Sequence, residues 1–366
     1  MKFKVKREAI LKPLQAVSGV VERRQTLPVL SNILLVANPE GIAMTATDLE
    51  VELKAHASLP VEEPGEITVP ARKFMDICRN LPEAADITLT AEEGRVVLKS
   101  GRSRFTLSTL PATEFPAVET SQFQHDFSLT QTSLRHLIEQ TGFAMAQQDV
   151  RYYLNGLLLE MTAERLRCVA TDGHRLALCD EEVPTSVSET AQVIVPRKGV
   201  MELMRLLEDS DSLARVQVSA NHIKVTTPDL TITSKLIDGK FPDYDRVIPR
   251  PEAPPMVANR ETFRQALQRT AILSNEKYRG VRLNMQDNVL KILAHNPEQE
   301  EAEDEIEVRY EGPGLEIGFN VNYLIDAITA IESEEVKLVV TDANSSALIT
   351  ASNSESCLYV VMPMRL

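Results

Sequence analysis

Apolar residues recur every three or four positions in several stretches of the chain, which is the period of a helix with one buried face. Residues 7–21 (REAILKPLQAVSGVV) show this spacing first, although Pro13 inside them is a potential kink. The same period predicts helices within residues 132–145 and 261–274, and helices that follow a short strand within residues 68–81, 194–207 and 318–331.

Between the predicted helices the pattern changes to alternation of apolar and polar residues, which is typical of half-buried strands. Residues 31–48, 154–172 and 279–296 each read as a pair of strands joined by a turn. Residues 103–116, 230–244 and 356–366 read as strands that run into a proline. One order therefore occurs three times: helix, strands, helix, strands.

A short motif marks the same point of each repeat. Residues 46–48 and 170–172 both read Ala-Thr-Asp and lie 124 positions apart, and Ala-His-Asn follows at 294–296, another 124 positions on. A catalytic carboxylate is needed once, and the third copy has asparagine. We therefore interpret Asp48 and Asp172 as residues that form a turn, because Asp and Asn side chains bind their own backbone at corners.

This repetition predicts an α+β fold of three tandem domains, each with two helices packed on antiparallel sheets. The predicted domains are residues 1–123, 124–252 and 253–366, and proline-bearing stretches near 111–125 and 242–259 serve as linkers.

Composition supports a folded, water-soluble protein. Of 366 residues, 43% are hydrophobic and 25% charged, and the apolar runs are far shorter than the roughly 20 residues of a membrane span. The first ten residues lack the apolar core of a secretory signal. The four cysteines are scattered without a CxxC pair, so we expect reduced thiols in a cytoplasmic protein.

The net charge of −14 argues at first against a nucleic-acid partner, but the charge is unevenly distributed. Residues 1–24 hold seven basic side chains against two acidic ones, whereas residues 298–311 hold eight acidic ones against a single arginine. An acidic protein can therefore still present one basic face. The alternative is that each run is ordinary solvated surface.

The sequence gives little support for an enzyme. His174 lies near Asp172 in the chain, with Cys168 and Cys179 close by, but their spacing matches no standard metal or nucleophile motif. Neither a GxxxxGK[ST] phosphate loop nor a GxSxG nucleophile motif occurs. We expect no catalytic residue, no metal and no cofactor.

Several longer strings resemble the bacterial sliding-clamp family, the beta subunits of DNA polymerase III, and the resemblance extends over residues 1–366. The strings are VPARKF (69–74), QDVRYYLNG (148–156), ATDGHRLA (170–177), VPRKGV (195–200), LSNEKYRGVRL (273–283), HNPEQEEAED (295–304) and VVMPMRL (360–366).

The resemblance implies a non-catalytic processivity factor: two chains joined head to tail in a six-domain ring around duplex DNA, without sequence preference and without a membrane partner. A DNA-independent scaffold or regulator with the same fold is the alternative. Because the chain has no nucleotide motif, the clamp loader that opens the ring must be a separate partner.

Basic side chains on the predicted helices are candidates to meet phosphate, and the resemblance adds others, including a loop with two tyrosines that can stack on single-stranded template. Ordinary packing is the alternative for the tyrosine pair. The candidate DNA-binding residues are Arg24, Arg72, Lys73, Gln148, Tyr152, Tyr153, Arg197 and Lys198.

A head-to-tail ring needs two different, complementary surfaces. A basic strand and an acidic segment supply them, around an apolar core. The predicted homodimer interface places Arg102, Arg104 and Lys73 opposite Glu298, Glu300, Glu301 and Glu303, with Phe105, Leu107, Ile272 and Leu273 as the core.

The resemblance also implies a hydrophobic groove between the second and third domains for client peptides similar to Gln-Leu-x-Leu-Phe. The clients would be the DNA polymerase III alpha subunit, the clamp loader, other polymerases, mismatch-repair proteins and ligase. For residues 360–366 the alternative is a buried terminal strand. The implied groove residues are Leu154, Thr171, Gly173, His174, Arg175, Leu176, Pro242, Arg246, Val247, Asn320, Tyr323, Ser346, Val360, Val361, Met362, Pro363, Met364 and Arg365.

Overall fold

A computed structural model describes residues 1–22, 27–118, 122–185, 187–250 and 252–365. The chain divides into two units, residues 1–135 with 198–236 and residues 136–197 with 237–366. The middle third of the chain contributes strands to both units. No helix within the described ranges is long and apolar enough to span a membrane.

Six α-helices form in the described residues, where the apolar periodicity predicts them, and α1 continues through Pro13. They are α1 Arg7–Ser18, α2 Ala71–Asn80, α3 Gln131–Thr141, α4 Arg197–Leu206, α5 Arg260–Ala271 and α6 Val321–Ala330.

The first unit contains a five-stranded sheet in the order β5-β1-β7-β8-β9 and an eight-stranded sheet in the order β10-β15-β16-β17-β4-β3-β2-β6, both antiparallel. The strands are β1 Lys2–Lys6, β2 Asn32–Asn38, β3 Gly41–Thr47, β4 Val51–Ala57, β5 Val61–Glu63, β6 Gly65–Pro70, β7 Asp86–Glu92, β8 Arg95–Ser100, β9 Ser103–Ser108, β10 His125–Thr130, β15 Leu213–Val218, β16 His222–Thr226 and β17 Leu230–Lys235.

The second unit contains an antiparallel eight-stranded sheet in the order β14-β11-β12-β13-β25-β24-β23-β18 and a four-stranded sheet in the order β21-β20-β19-β22. The strands are β11 Gly156–Thr162, β12 Arg165–Thr171, β13 Arg175–Glu182, β14 Ala191–Pro196, β18 Met256–Asn259, β19 Gly280–Gln286, β20 Val289–His295, β21 Glu301–Glu307, β22 Leu315–Asn320, β23 Glu335–Val339, β24 Ala347–Ala351 and β25 Cys357–Val361.

Each unit buries the apolar stripe of its helices against a sheet. In the first unit α1 packs on α2 and on β4, and it buries Ile10, Leu14 and Val17. In the second unit α5 packs on α6 and on β21, and Phe263 and Leu267 are fully buried. The i, i+3, i+4 and i+7 spacing in the sequence therefore marks the core-facing side of these helices.

The repeated corner is structural, as its recurrence predicts. The Asp48 carboxylate accepts hydrogen bonds from the backbone N–H groups of residues 50 and 51, and the Asp172 carboxylate from those of residues 174 and 175, all at 2.7–3.0 Å. Asn296 accepts a 2.9 Å bond from the backbone of Glu300. All three side chains therefore close a turn on their own backbone.

One prediction about the cysteines is wrong. Cys179 and Cys357 form a disulfide, whereas Cys78 and Cys168 are free and buried. The two bonded residues lie directly opposite each other in the β13–β25 pair, although 178 positions separate them in sequence. Strand register, which the sequence spacing does not reveal, brings them together.

Candidate functional site

An apolar groove of about 170 Å³ lies beside the second corner, within the second unit. Strand β12 ends at Thr171, the corner follows, and β13 begins at Arg175 and pairs with β25, so that Leu176 lies opposite Val360. The groove is lined by Arg151, Leu154, Thr171, Gly173, Arg175, Leu176, Pro242, Asp243, Tyr244, Val247, Ser346, Val360 and Met362.

The floor of the groove belongs to a buried hydrophobic cluster, and alternation along the strands turns Leu176 and Val360 toward it. The cluster fixes the floor, while Val247 and Met362 are 49% and 44% exposed and remain free to contact a ligand. The buried members are Leu158, Val169, Leu176, Leu178, Ile194, Phe241, Tyr244 and Val360.

Beneath the floor, Tyr244 joins the groove to a polar network. Its hydroxyl donates to Glu160 at 3.0 Å and accepts from Arg167 at 3.2 Å. Arg167 in turn makes a two-pronged ion pair with Asp180 at 2.6 and 2.7 Å. Burial raises the pKa of Tyr244 to about 12, so its hydroxyl stays protonated and keeps donating.

The rim of the groove is organised around Arg175. Its guanidinium contacts the Asp172 carboxylate at 3.1 Å, bonds to Asp326 on α6, and donates to the backbone carbonyl of Phe143 at 2.8 Å. It also lies over the Tyr323 ring. The arginine is thus held in one orientation by groups from three parts of the chain.

A second arginine, Arg151, also lines the groove. Arg151 pairs with Asp149 at 2.9 and 3.0 Å and donates to the Asp172 carbonyl at 3.3 Å. Hydrogen bonds from Arg151 lower the pKa of Asp149 to about 2. Gly173 has φ +87°, a backbone conformation that favours glycine, and a Cβ there would stand 2.9 Å from the Arg151 guanidinium, which would have to move.

Family comparison identifies the fold to which this groove belongs. Three family descriptions match in succession: the N-terminal, central and C-terminal domains of the DNA polymerase III beta subunit, over residues 1–119, 128–243 and 245–365. The chain belongs to the DNA polymerase III beta subunit family. It consists of three tandem domains of helices and antiparallel sheets, as the repeats predict.

Relatives and solved structures of the family agree over the full length. The chain is 57% identical to a beta sliding clamp of Pseudomonas putida, with 100% of both chains covered. It is similar to the crystal structure of the DNA polymerase III subunit beta of Pseudomonas aeruginosa, with 56% identity, a TM-score of 0.97 and 100% of both chains covered. A sliding clamp from that organism bound to griselimycin gives 56% identity, a TM-score of 0.98 and the same coverage.

Ten of the groove residues named from the sequence line the cavity, and eight do not. The structure adds Arg151, Asp243 and Tyr244, which no apolar pattern marked, although Arg151 stands inside the quoted QDVRYYLNG string. The ten lining residues are Leu154, Thr171, Gly173, Arg175, Leu176, Pro242, Val247, Ser346, Val360 and Met362.

The eight others lie around the groove or behind it. Val361 is buried on the opposite face of β25 from Val360, and Asn320 caps α6 through the backbone N–H of Asn322. Tyr323 supports Arg175, whereas Arg246 is exposed and pairs with Asp243 at 2.7 Å. The remaining four border the groove in sequence: His174, Pro363, Met364 and Arg365.

The candidate DNA-binding residues differ in their exposure and in whether an acidic side chain pairs with them. Arg72 and Lys73 are exposed on α2, and no ion pair in the described ranges joins either to an acid. Lys198 instead pairs with Glu22 and Asp48. Arg24 lies outside the described residues.

Burial lowers the pKa of Lys198, but the hydrogen bonds to Asp48 and Glu22 and the negative charges of these two carboxylates together raise it above its ordinary value. Neighbouring Arg197 is half-buried, and its guanidinium lies 3.5 Å from the Met145 carbonyl.

The two tyrosines of the QDVRYYLNG loop differ in exposure. Gln148 is exposed, and Tyr152 is 56% exposed. Tyr153 packs against the hydrophobic cluster below the groove, edge-on to Tyr152 with ring centres 5.7 Å apart. Packing, the alternative weighed for the pair, therefore applies to Tyr153.

Several candidate interface residues lie on strands at the edge of a sheet. Strand β9, with exposed Arg104, is the last strand of the five-stranded sheet, and β21, with exposed Glu301 and Glu303, is the last strand of the four-stranded sheet. Ile272 is 77% exposed at the end of α5, whereas Leu107 is already buried in its own chain.

The other candidate interface residues are all at least partly accessible. Arg102, Glu298 and Glu300 are exposed, and Phe105 and Leu273 are half-buried.

Proposed function

We propose that the protein is a DNA sliding clamp: a non-catalytic processivity factor that encircles duplex DNA as a head-to-tail homodimer and tethers polymerases and repair proteins. Full-length membership of the beta-subunit family carries this proposal. The protein acts in the cytoplasm as a bacterial replication factor. The domain limits that we propose are 1–123, 124–252 and 253–366, one domain for each of the three family matches.

Ring closure joins β9 of one chain to β21 of its partner. An edge strand carries unpaired backbone N–H and C=O groups that a second strand can satisfy. The charges are complementary: Arg102 and Arg104 flank one edge, and the acidic set Glu298, Glu300, Glu301 and Glu303 flanks the other. The opposite charges orient the two chains as they associate. The apolar contact of the interface comes from Ile272, Leu273 and Phe105.

The DNA-facing surface binds phosphate without reading bases, because a sliding ring must not be held at one sequence. Arg72 is the best-placed cation for this role, since it projects from a helix and is not neutralised by an acid within the described ranges. Lys73 is equally exposed in the single chain, but it also belongs to the predicted interface opposite the acidic segment. Lys198 contributes only when DNA phosphate displaces Glu22 or Asp48. Tyr152 stacks on single-stranded template.

The groove receives the apolar side chains of a client peptide similar to Gln-Leu-x-Leu-Phe. Its floor is preformed by Leu176 and Val360, and flexible Met362 adapts to different clients. A short peptide of this kind binds with about −8 kcal/mol, which is micromolar affinity. A dimer carries two grooves, so clients can exchange or bind together.

A topological experiment separates this proposal from a DNA-independent scaffold with the same fold. The protein is assembled on a nicked plasmid by a clamp loader, and its retention is measured by gel filtration before and after the plasmid is cut once. A clamp stays on the circle and leaves the linear product. A scaffold is not retained on either, and retention that survives cutting equally well also contradicts encirclement.

A further inference from the structure

Three side chains from distant parts of the second unit converge outside the groove. Cys179 on β13 and Cys357 on β25 lie opposite each other and share a disulfide. The Nε2 atom of His136 on α3 lies 4.0 Å from both sulfur atoms. These three donor atoms lie within 4.8 Å of one another.

Two thiolates and an imidazole nitrogen are a donor set that favours zinc. Zinc–sulfur and zinc–nitrogen bonds of about 2.3 and 2.0 Å place donor atoms roughly 3.5 Å apart in a tetrahedron. The nitrogen–sulfur distances of 4.0 Å are close to that spacing. A small shift of the cysteine side chains, once the sulfurs are no longer bonded, brings all three atoms onto one ion.

A carboxylate behind the imidazole completes the arrangement. Glu332 Oε1 lies 3.5 Å from His136 Nδ1, on the far side of the ring from the sulfurs. A carboxylate in this position holds the proton on Nδ1 and leaves the Nε2 lone pair for a metal. The site also opens to solvent, because His136, Glu332 and Cys357 line a polar cavity of about 270 Å³.

We propose that, in the reduced protein, Cys179, Cys357 and His136 form a zinc site whose fourth position faces the cavity and takes water. The site and the disulfide exclude each other. A dithiol reductant transfers two electrons and two protons to the disulfide, giving two thiols and the reductant's own disulfide. Zinc then binds both thiolates, and the two thiol protons leave to solvent.

The site lies next to the groove along the chain. β25 runs from Cys357 to Val360 on the groove floor, and a metal or a disulfide at its start fixes its pairing with β13. The zinc-bound state and the disulfide state therefore both fix the strand that forms the groove floor. The metal-free dithiol state lacks this cross-link.

Cobalt(II) titration of the full chain tests the proposal, with a phosphine as reductant, which becomes phosphine oxide. The reduced protein is expected to bind one cobalt per chain, with a sulfur-to-cobalt charge-transfer band and tetrahedral d–d bands that equimolar zinc abolishes. The oxidised protein, in which alkylation after denaturation modifies only Cys78 and Cys168, is expected to show neither band.

Matched variants locate the site. Cys357→Ser and His136→Ala are expected to weaken cobalt binding at least tenfold, whereas Cys78→Ala, which removes a buried thiol on α2, leaves it unchanged. Absence of the charge-transfer band in the reduced protein overturns the proposal. So does equal binding by the Cys179→Ser/Cys357→Ser double variant, which circular dichroism must show to be folded.

Discussion

The guanidinium carbon of Arg175 lies 4.5 Å from the centre of the Tyr323 ring, so the first residue of β13 is stacked on helix α6. The centre of the Phe143 ring lies 5.5 Å from the same carbon atom. The carboxylates of Asp172 and Asp326 form ion pairs with the guanidinium. This contact fixes one wall of the groove, because the Arg175 side chain is only 13% exposed and its guanidinium has acceptors and rings around it.

Arg175→Ala should weaken binding of a Gln-Leu-x-Leu-Phe peptide roughly tenfold, or about 1–2 kcal/mol, since the wall loses its stacked and hydrogen-bonded support. Fluorescence anisotropy of a labelled peptide measures the change. Arg175→Lys keeps the charge but loses the planar fork, so it should recover little affinity. Wild-type affinity in the alanine variant would show that the peptide does not use this wall.

Deleting residues 362–366 should abolish peptide binding, because Met362 lines the groove and its backbone N–H bonds to the His174 carbonyl at 2.9 Å. The same variant should still form the dimer, because none of the deleted residues is a candidate interface residue. Anisotropy of a labelled peptide measures peptide binding, and gel filtration measures whether the dimer is intact. Loss of the ring itself would assign these residues a structural role.

Ile272→Ala with Leu273→Ala should convert dimers to monomers in sedimentation. Burying two such side chains contributes about 3–6 kcal/mol, so the dissociation constant should rise by roughly two to four powers of ten. Leu213→Ala is the control, because Leu213 is also exposed, at 59%, but lies on β15. A double variant that still sediments as a dimer at low concentration contradicts the proposed interface.

Arg72→Ala, alone and together with Lys73→Ala, should make duplex binding less sensitive to salt. Each lost phosphate contact reduces the slope of log affinity against log salt by about 0.9. Anisotropy of a short duplex at several salt concentrations gives the slope. Lys54→Ala with Lys240→Ala removes the same charge from exposed positions on β4 and in a loop, and should leave the slope unchanged.

The Asp149 carboxylate should stay largely ionised at pH 3, because Arg151 lowers its pKa to about 2 from an ordinary 3.8. A folded pKa below the unfolded one means that the pair stabilises the loop above pH 4 and that this contribution is lost as pH falls toward 2. Carbon-13 NMR follows the titration. Arg151→Met keeps the backbone N–H bond to Asp149 but loses the side-chain bonds, so the carboxylate should titrate at a higher pH than in the wild type. An unchanged midpoint would contradict this pairing.

Short-range patterns in the sequence predict the repeating framework well. Helices such as α2, with Phe74 and Cys78 buried on one side and Arg72 exposed, follow from periodicity alone. The corners follow from the Asp48 and Asp172 motif, since an Asx turn needs only neighbouring atoms.

Features set by strand register or by long side chains could not be predicted in this way. Cys179 meets Cys357 only because β13 pairs with β25, and Tyr244 reaches the groove through a loop with no periodic pattern. Leu107 alternates as an interface residue would, yet it is buried within its own chain. Each outcome depends on partners that are far away in sequence.

The pairing of β17 with β4, and of β13 with β25, gives each eight-stranded sheet strands from two successive repeats. A gene cut at a repeat border therefore does not yield a self-sufficient module, because each piece is left with a bare hydrogen-bonding edge prone to aggregation. Hybrid proteins between relatives should tolerate crossovers inside a surface loop of one sheet better than exchange of whole repeats. Such a chain diversifies by point substitution more readily than by shuffling.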